Sequence, residues 1–289
     1  MAQDESVQLK NKISELEEML QIKNIEVMTY RQELTKFSQK LDSLMSQIAG
    51  DMKMLAKVQK ALTPTELPNI PGFEISRKFV YGTQSGGDYF DVFEHEDKFR
   101  FGLLVASSSG YAMSASFLSL ILKVSHVLEA KKGNPPDRIL QGIAEDLKPL
   151  AGPNDLTHAF YAVIDRRDYS LKFCSAGNIG AYYMARGKPL QSMKSTLSPF
   201  GQQFTGQLAC AAIELEPRSR VCIVTNGLTD VLGSDTIVKI MNDTAKAGVH
   251  DLRNELLFQA QQKTGLAEPL RDQTVVVIDV KDRVIKLAK

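Results

Sequence analysis

Residues 85–93 read SGGDYFDVF. A Gly-Gly pair permits a tight turn, the turn delivers an acidic side chain, Asp88, and the strand that follows carries a second, Asp91. Two carboxylates after a tight turn are the beginning of a divalent cation site, because hard cations take oxygen ligands. The plainer reading is that Gly86 and Gly87 serve only the turn, and that Asp91 faces solvent or supports a hairpin. What decides between the two is whether the rest of the chain supplies further ligands.

Around this stretch lie other short runs of half-apolar, strand-like sequence: FEISRKFVY, YFDVFEHEDKFRFGLLVAS, AFYAVIDRRDYSLKFCSAG, GAYYMARGKPLQSM, ACAAIELEPRSRVCIVTNG and QTVVVIDVKD. Several contain their own turn, such as EHED and RRDY, so neighbouring strands are expected to pair antiparallel as hairpins. Helical stretches fall between them at about 114–130, 136–150, 234–247 and 251–264. Two packed antiparallel β-sheets flanked by helices, an α+β sandwich, is the simplest architecture that buries so many half-apolar strands.

The N-terminal sixty residues follow a different rule. From Leu9 apolar residues recur at alternating steps of four and three, which keeps one seam facing a partner helix. One seam position is filled by Ile13, Leu20, Val27, Leu34, Leu41, Ile48, Leu55 and Leu62; the other holds Leu9, Leu16, Lys23, Tyr30, Phe37, Leu44, Asp51 and Val58. In a parallel pair the flanking positions set Lys12 against Glu17 and Glu26 against Arg31, so a parallel homodimeric coiled coil is expected. The competing reading folds the helix back on its own globular domain. Gly50 and Asp51 mark a hinge, since glycine costs roughly 1 kcal/mol inside a helix. Prolines at 64, 68 and 71 stop the helix near Leu62. The expected division is 1–62, coiled coil, and 63–289, globular domain.

Composition excludes more than it specifies. A formal net charge of +1 over 289 residues gives no reason to expect nucleic acid or an anionic membrane as a partner. The scattered Cys174, Cys210 and Cys222 fit no metal spacing and suggest reduced thiols. The start lacks the order of a signal peptide, and no apolar run of about 18 residues exists to span a bilayer. A cytoplasmic protein without membrane insertion is the expectation.

The order of the pieces resembles the SpoIIE-like branch of the PPM family, metal-dependent serine/threonine protein phosphatases of bacterial partner-switching pathways. The resemblance covers roughly residues 54–280 and rests on LAKVQKALTPTELPNIPGFEIS, GGDYFDVF, SAGNIGAYY, TNGLTD and RDQTVVVI. It implies the PPM αββα sandwich behind a coiled-coil helix. In such phosphatases two manganese or magnesium ions hold the phosphate and activate the attacking water, and carboxylates hold the ions.

At the matching positions the acids are missing. Ser107 stands where the bridging carboxylate belongs, Asn226 replaces the metal-binding Asp of the TDG turn, and Arg271 occupies the first position of the closing motif, beside Asp272; Asp88 is retained. A hydroxyl and an amide oxygen are neutral, and a guanidinium has no lone pair to donate. Arg271 is expected instead to pair with Asp88 or Asp272. The resemblance therefore implies a pseudophosphatase: no catalytic residues, no cofactor, a coiled-coil homodimer, and a protein partner such as a STAS-domain antagonist or a phosphorylated switch protein. The alternative is an active phosphatase using manganese or magnesium, its ligand set rebuilt from Asp91, Asp155, Asp230 or Asp272 with Asp88. A third reading makes the domain an inert scaffold for the coiled coil. The run Ser107, Ser108, Ser109 and Gly110 either caps a helix or, with Arg271, forms an anion pocket for a phosphoryl group.

Overall fold

The computed structural model describes residues 2–62, 67–83, 87–109, 127–193 and 197–281. The chain divides into two compact units, Met1–Met54 and Leu55–Lys289. No helix among the described residues is long and apolar enough to cross a membrane.

A single helix, α1, runs Ala2–Leu62. It passes through Gly50 and Asp51 unbroken, contrary to the hinge expected there. One glycine costs about 1 kcal/mol in a helix interior, and good helix formers on both sides outweigh it. In the single chain the seam is open to solvent, from 44% exposure at Leu41 to 68% at Leu34. Lys12 pairs with Glu15 and Lys23 with Glu26 along the helix itself.

The second unit is a sandwich. Its strands are β1 (Phe73–Val80), β2 (Asp88–Glu94) and β3 (Arg100–Ser109), then, after the helices α2 (Val127–Lys131) and α3 (Pro136–Leu147), β4 (Leu156–Asp165), β5 (Ser170–Ala176), β6 (Gly180–Met184), β7 (Gln191–Ser192), β8 (Ala211–Glu214) and β9 (Arg220–Val224). Helices α4 (Asn226–Leu232), α5 (Ser234–Asp243) and α6 (Val249–Thr264) precede the last strand, β10 (Gln273–Val280). Among the described residues these form two five-stranded antiparallel sheets, ordered β1-β10-β9-β6-β7 and β2-β3-β4-β5-β8. The expected helix over 114–130 lies outside the described residues except for its last turn.

The expected hairpins β2–β3, β4–β5 and β6–β7 are present. β8 and β9 are not one: β8 joins β5, whereas β9 lies between β10 and β6 in the other sheet. The EPRS linker therefore carries the chain from one sheet to the other. TNG, which stands where the resemblance puts the TDG turn, opens α4, with Thr225 at its N-cap.

Alternation along the strands sorts side chains into three layers. Phe90, Val105, Phe160, Ile223 and Val276 meet between the sheets. Tyr89, Leu104 and Tyr161 face outward under α3, and Val224, Val275 and Val277 face outward under α4, α5 and α6. Arg220 pins the second outer layer. Its Nε donates to Asp279 Oδ1 (2.6 Å) and its Nη2 to Asp279 Oδ2 (2.7 Å), while Nη1 and Nη2 donate to the carbonyls of Thr244 (3.1 Å) and Ala247 (2.7 Å) beyond α5.

Arg220 is buried while Asp279 keeps part of its surface in water, so removing the guanidinium leaves a partly solvated carboxylate and two carbonyls without their donors, at a cost of about 1–3 kcal/mol. Arg220→Ala is expected to lower stability by that order in urea denaturation, and Arg220→Lys to recover only part of it, because an ammonium cannot reproduce the fork.

Candidate functional site

Four strands end in polar residues at one rim of the sandwich. The inward positions filled by Phe90, Val105, Ile223 and Val276 are followed, two residues nearer the rim, by Asp88, Ser107, Thr225 and Thr274, all buried. Strand alternation thus aims all four at one point between the sheets, and they meet there. Ser107 Oγ donates to Asp88 Oδ1 at 2.5 Å; Thr225 Oγ1 and Thr274 Oγ1 donate to Asp88 Oδ2 at 2.6 and 2.8 Å. The Thr274 N–H in turn donates to Thr225 Oγ1 at 2.9 Å.

Burial pushes the Asp88 carboxyl up to about 7, the negative charge of Asp272 adds to the rise, and the three hydroxyl donors oppose it. Ser107 Oγ also stands 2.5 Å from Asn226 Oδ1, yet it owns one hydrogen. Protonation of Asp88 resolves this: the carboxyl O–H donates to Ser107, whose hydrogen goes to the Asn226 carbonyl. When Asp88 is ionised, Ser107 donates to it and the Asn226 amide satisfies Ser107 by turning its NH2 inward.

Asp272 has a separate task. It accepts the backbone N–H of Gly82 (2.8 Å) through Oδ1, and those of Gly87 (3.0 Å) and Asp88 (3.3 Å) through Oδ2. It therefore clamps the segment before β2 and sets where Asp88 enters the core. Two glycines make room for this. A Cβ on Gly227 would lie 2.0 Å from the Asp272 carbonyl oxygen, and one on Gly82 would lie 2.4 Å from the Arg271 carbonyl carbon.

Arg271 does not join the carboxylates, contrary to expectation. Its Nη1 pairs with Asp230 Oδ2 at 3.0 Å, with both side chains about half exposed. Arg271 precedes the buried Asp272 on the chain, and successive side chains of an extended segment point opposite ways. Burial holds the nearby His158 imidazole below its usual range, with Arg271 acting in the same direction and Asp230 against it. His158 Nδ1 accepts the Asn178 N–H at 2.8 Å, so its hydrogen sits on Nε2.

The other expected site residues are dispersed. Asp91 lies on the outward face of β2 and accepts from Tyr89 Oη at 3.1 Å, opposite to Asp88. Asp155 accepts the Gly152 N–H in a turn. The serines divide by alternation: Ser107 points inward, Ser108 outward to Thr157 Oγ1 (2.9 Å), and Ser109 lies by the Leu156 carbonyl. Gly110 lies outside the described residues. Ser107 and Arg271 thus have separate partners, and the inward serine already faces a carboxyl group.

These donors do not fit a pair of bridged divalent ions. Asp88 is engaged by three hydroxyls, Asp272 by three backbone N–H groups, and the positions between them are neutral. Among the described residues no group of three or more His, Cys, Asp or Glu is arranged to hold a metal. Thr225 and Thr274, the donors to Asp88, were not singled out from sequence, although both lie inside the quoted motifs; threonine is equally at home in any strand.

The family model described as Stage II sporulation protein E (SpoIIE) matches residues 97–281. No curated protein matches the chain significantly. Among solved structures, the chain is similar to the SiaA-PP2C domain of Pseudomonas aeruginosa, with a TM-score of 0.67 at 18% identity over 81% of this chain and 98% of that one. It is also similar to the RsbU and RsbW domains of a Mycobacterium tuberculosis protein, with a TM-score of 0.63 at 17% identity over 75% of this chain and 64% of that one. The PP2C phosphatase domain of SpoIIE from Bacillus subtilis gives 0.59 at 14% identity over 72% of this chain and 63% of that one. At these identities the likeness is one of fold.

Two outcomes follow from the rim. Below about pH 4, folded and unfolded chains both hold the Asp88 proton. As pH rises toward 7 the unfolded chain releases it first, so stability is lost across that window, by an order of a few kcal/mol. Asp88→Asn keeps a neutral group with one acceptor and one donor side, so its stability relative to the parent is expected to climb between pH 4 and 8 in urea titrations. A difference that stays constant with pH would contradict the assignment. Gly227→Ala forces the Asp272 backbone away and is expected to lower the thermal midpoint sharply, whereas Gly187→Ala, where no atom lies within 4 Å, meets only the strain of its positive φ.

Proposed function

The chain belongs to the SpoIIE family, and we propose that it is a non-catalytic member: a pseudophosphatase that regulates by binding a protein. One observation carries this reading. Where the family places metal-binding carboxylates, this chain has Ser107, Asn226 and Arg271, and the remaining acid, Asp88, is the centre of a buried hydroxyl cluster. Such a cluster needs no cation to balance it, whereas two adjacent divalent ions need several carboxylates.

The partner is a switch protein of the partner-switching type, a small STAS-domain antagonist or a phosphorylated relative. The family match and the likeness to RsbU and SpoIIE domains support this class. The coiled coil pairs two copies of the chain in parallel. The apolar seam of α1 supports that, since eleven seam side chains from Leu9 to Ile48 are exposed in a single chain, and water contact along so long a stripe is what a second helix relieves.

Calorimetric titration of manganese, with a phosphoserine-peptide phosphatase assay on the same sample, tests the first part. The expected result is neither heat at millimolar metal nor turnover; tight binding with manganese-dependent turnover lost in Asp88→Ala would establish a rebuilt enzyme instead. For the second part, sedimentation is expected to give a dimer that Leu34→Glu with Leu41→Glu converts to monomer.

A further inference from the structure

We infer that Cys174 and Cys210 are a redox modification site, able to close a reversible disulfide between β5 and the segment entering β8. In sequence the two are 36 residues apart and look unrelated. The sheet register brings them together. β5 and β8 pair antiparallel as Ser170↔Glu214, Leu171↔Ile213, Lys172↔Ala212 and Phe173↔Ala211. The next step of that ladder sets Cys174 opposite Cys210. Directly opposed residues of an antiparallel pair have Cα atoms about 4.5–5.5 Å apart, within the span of about 4.4–6.8 Å that a disulfide takes.

Both side chains also leave the sheet on one face. Cys174 packs in the outer layer with Ala176 and the residues of α3. Cys210 Sγ donates to Asp137 Oδ1, in the first turn of α3, at 3.4 Å. The two thiols feel the same neighbours. Burial pushes Cys174 up to about 11, with contributions from Cys210 and Asp137, while the Ser175 and Ala209 backbone N–H groups draw it down. Burial also raises Cys210, with the Asp137 carboxyl in the same direction, and the Asp137 N–H and Lys172 opposing. Ala209 reaching Cys174, and Lys172 reaching Cys210, are what the continued ladder requires.

Exposure assigns the order of events. Cys210 is exposed and Cys174 is buried, so an oxidant meets Cys210 first. With hydrogen peroxide, the Cys210 sulfur attacks one peroxide oxygen, the O–O bond breaks, and a sulfenic acid and one water result. Cys174 sulfur then attacks the Cys210 sulfur, the S–O bond breaks, and the hydroxyl leaves with the Cys174 proton as a second water. The thiols lose two electrons and two hydrogens, and the peroxide is reduced to two waters. Since the thiolate is the nucleophile and both thiols are raised, the reaction is best driven at mildly alkaline pH. The cross-link ties the short edge strand β8, three of whose four residues are exposed, to its neighbour β5.

The test is peroxide treatment of the full chain at mildly alkaline pH, then alkylation, proteolysis and mass spectrometry, with urea denaturation in parallel. The expected product is a monomeric cross-link of the Cys174 and Cys210 peptides, two hydrogens lighter, with a raised urea midpoint that dithiothreitol reverses. Cys222 lies fully buried on the other sheet, so Cys222→Ser should still form the cross-link, while Cys210→Ser, at an exposed position, should fold and not form it. Cross-links only between Cys210 residues of two chains, or Cys210 oxidised with Cys174 still free to alkylate after unfolding, would overturn the inference.

Discussion

The Asp88 carboxyl group is the point on which the rim of the sandwich depends. It stands at the start of β2 in one sheet and takes hydroxyl hydrogens from β3 in the same sheet and from the ends of β9 and β10 in the other. Dispersion holds the two sheets together along their length without direction. At the rim, a polar group with several fixed donors selects one relative placement, because each misaligned hydroxyl would be left buried and unsatisfied. The cost of burying a carboxyl is thereby offset by the same bonds that specify the geometry.

Asp272 makes that geometry reachable. Its carboxylate gathers three backbone N–H groups from the segment that leads into β2, so β10 dictates where the first residue of β2 stands. The close backbone approach at Gly82 and Gly227 belongs to the same clamp. Two adjacent acids therefore take different roles: Asp88 is met by side-chain hydroxyls and its carboxyl is raised, while Asp272 is held by backbone donors. Each affects the other, since the charge on Asp272 raises Asp88.

Much of this was readable in the sequence, where local pattern carries it. QTVVVIDV, buried on both faces, reads as a continuous β-branched run, the edge strand FEISRKFV mixes apolar and polar positions, and prolines mark the helix end. What was hidden depended on register between distant segments. Nothing local distinguishes Thr225 and Thr274 from ordinary strand threonines until β9 and β10 lie side by side. The EPRS link looks like any hairpin turn, although it changes sheets. Charge alone points Arg271 at Asp88 or Asp272, but the alternation that buries Asp272 turns its neighbour outward to Asp230. The cysteine pair is the same case, since spacing in sequence says nothing about a partner strand 36 residues away.

If, as proposed, hydrogen bonds stand in for a metal centre here, more than activity is affected. A site built of carboxylates repels itself until cations arrive, so its stability is linked to metal. Ser107 and Asn226 put neutral groups that can both give and accept hydrogens beside Asp88, where further carboxylates would repel it. The rim then closes with what the chain itself provides. On the outside, Arg271 places a fixed positive charge beside Asp230 on the surface, near His158. On the proposed reading, the face above Asp88 is a polar surface bearing the Arg271–Asp230 pair over a hydrogen-bonded base, chemistry that would serve recognition of a protein.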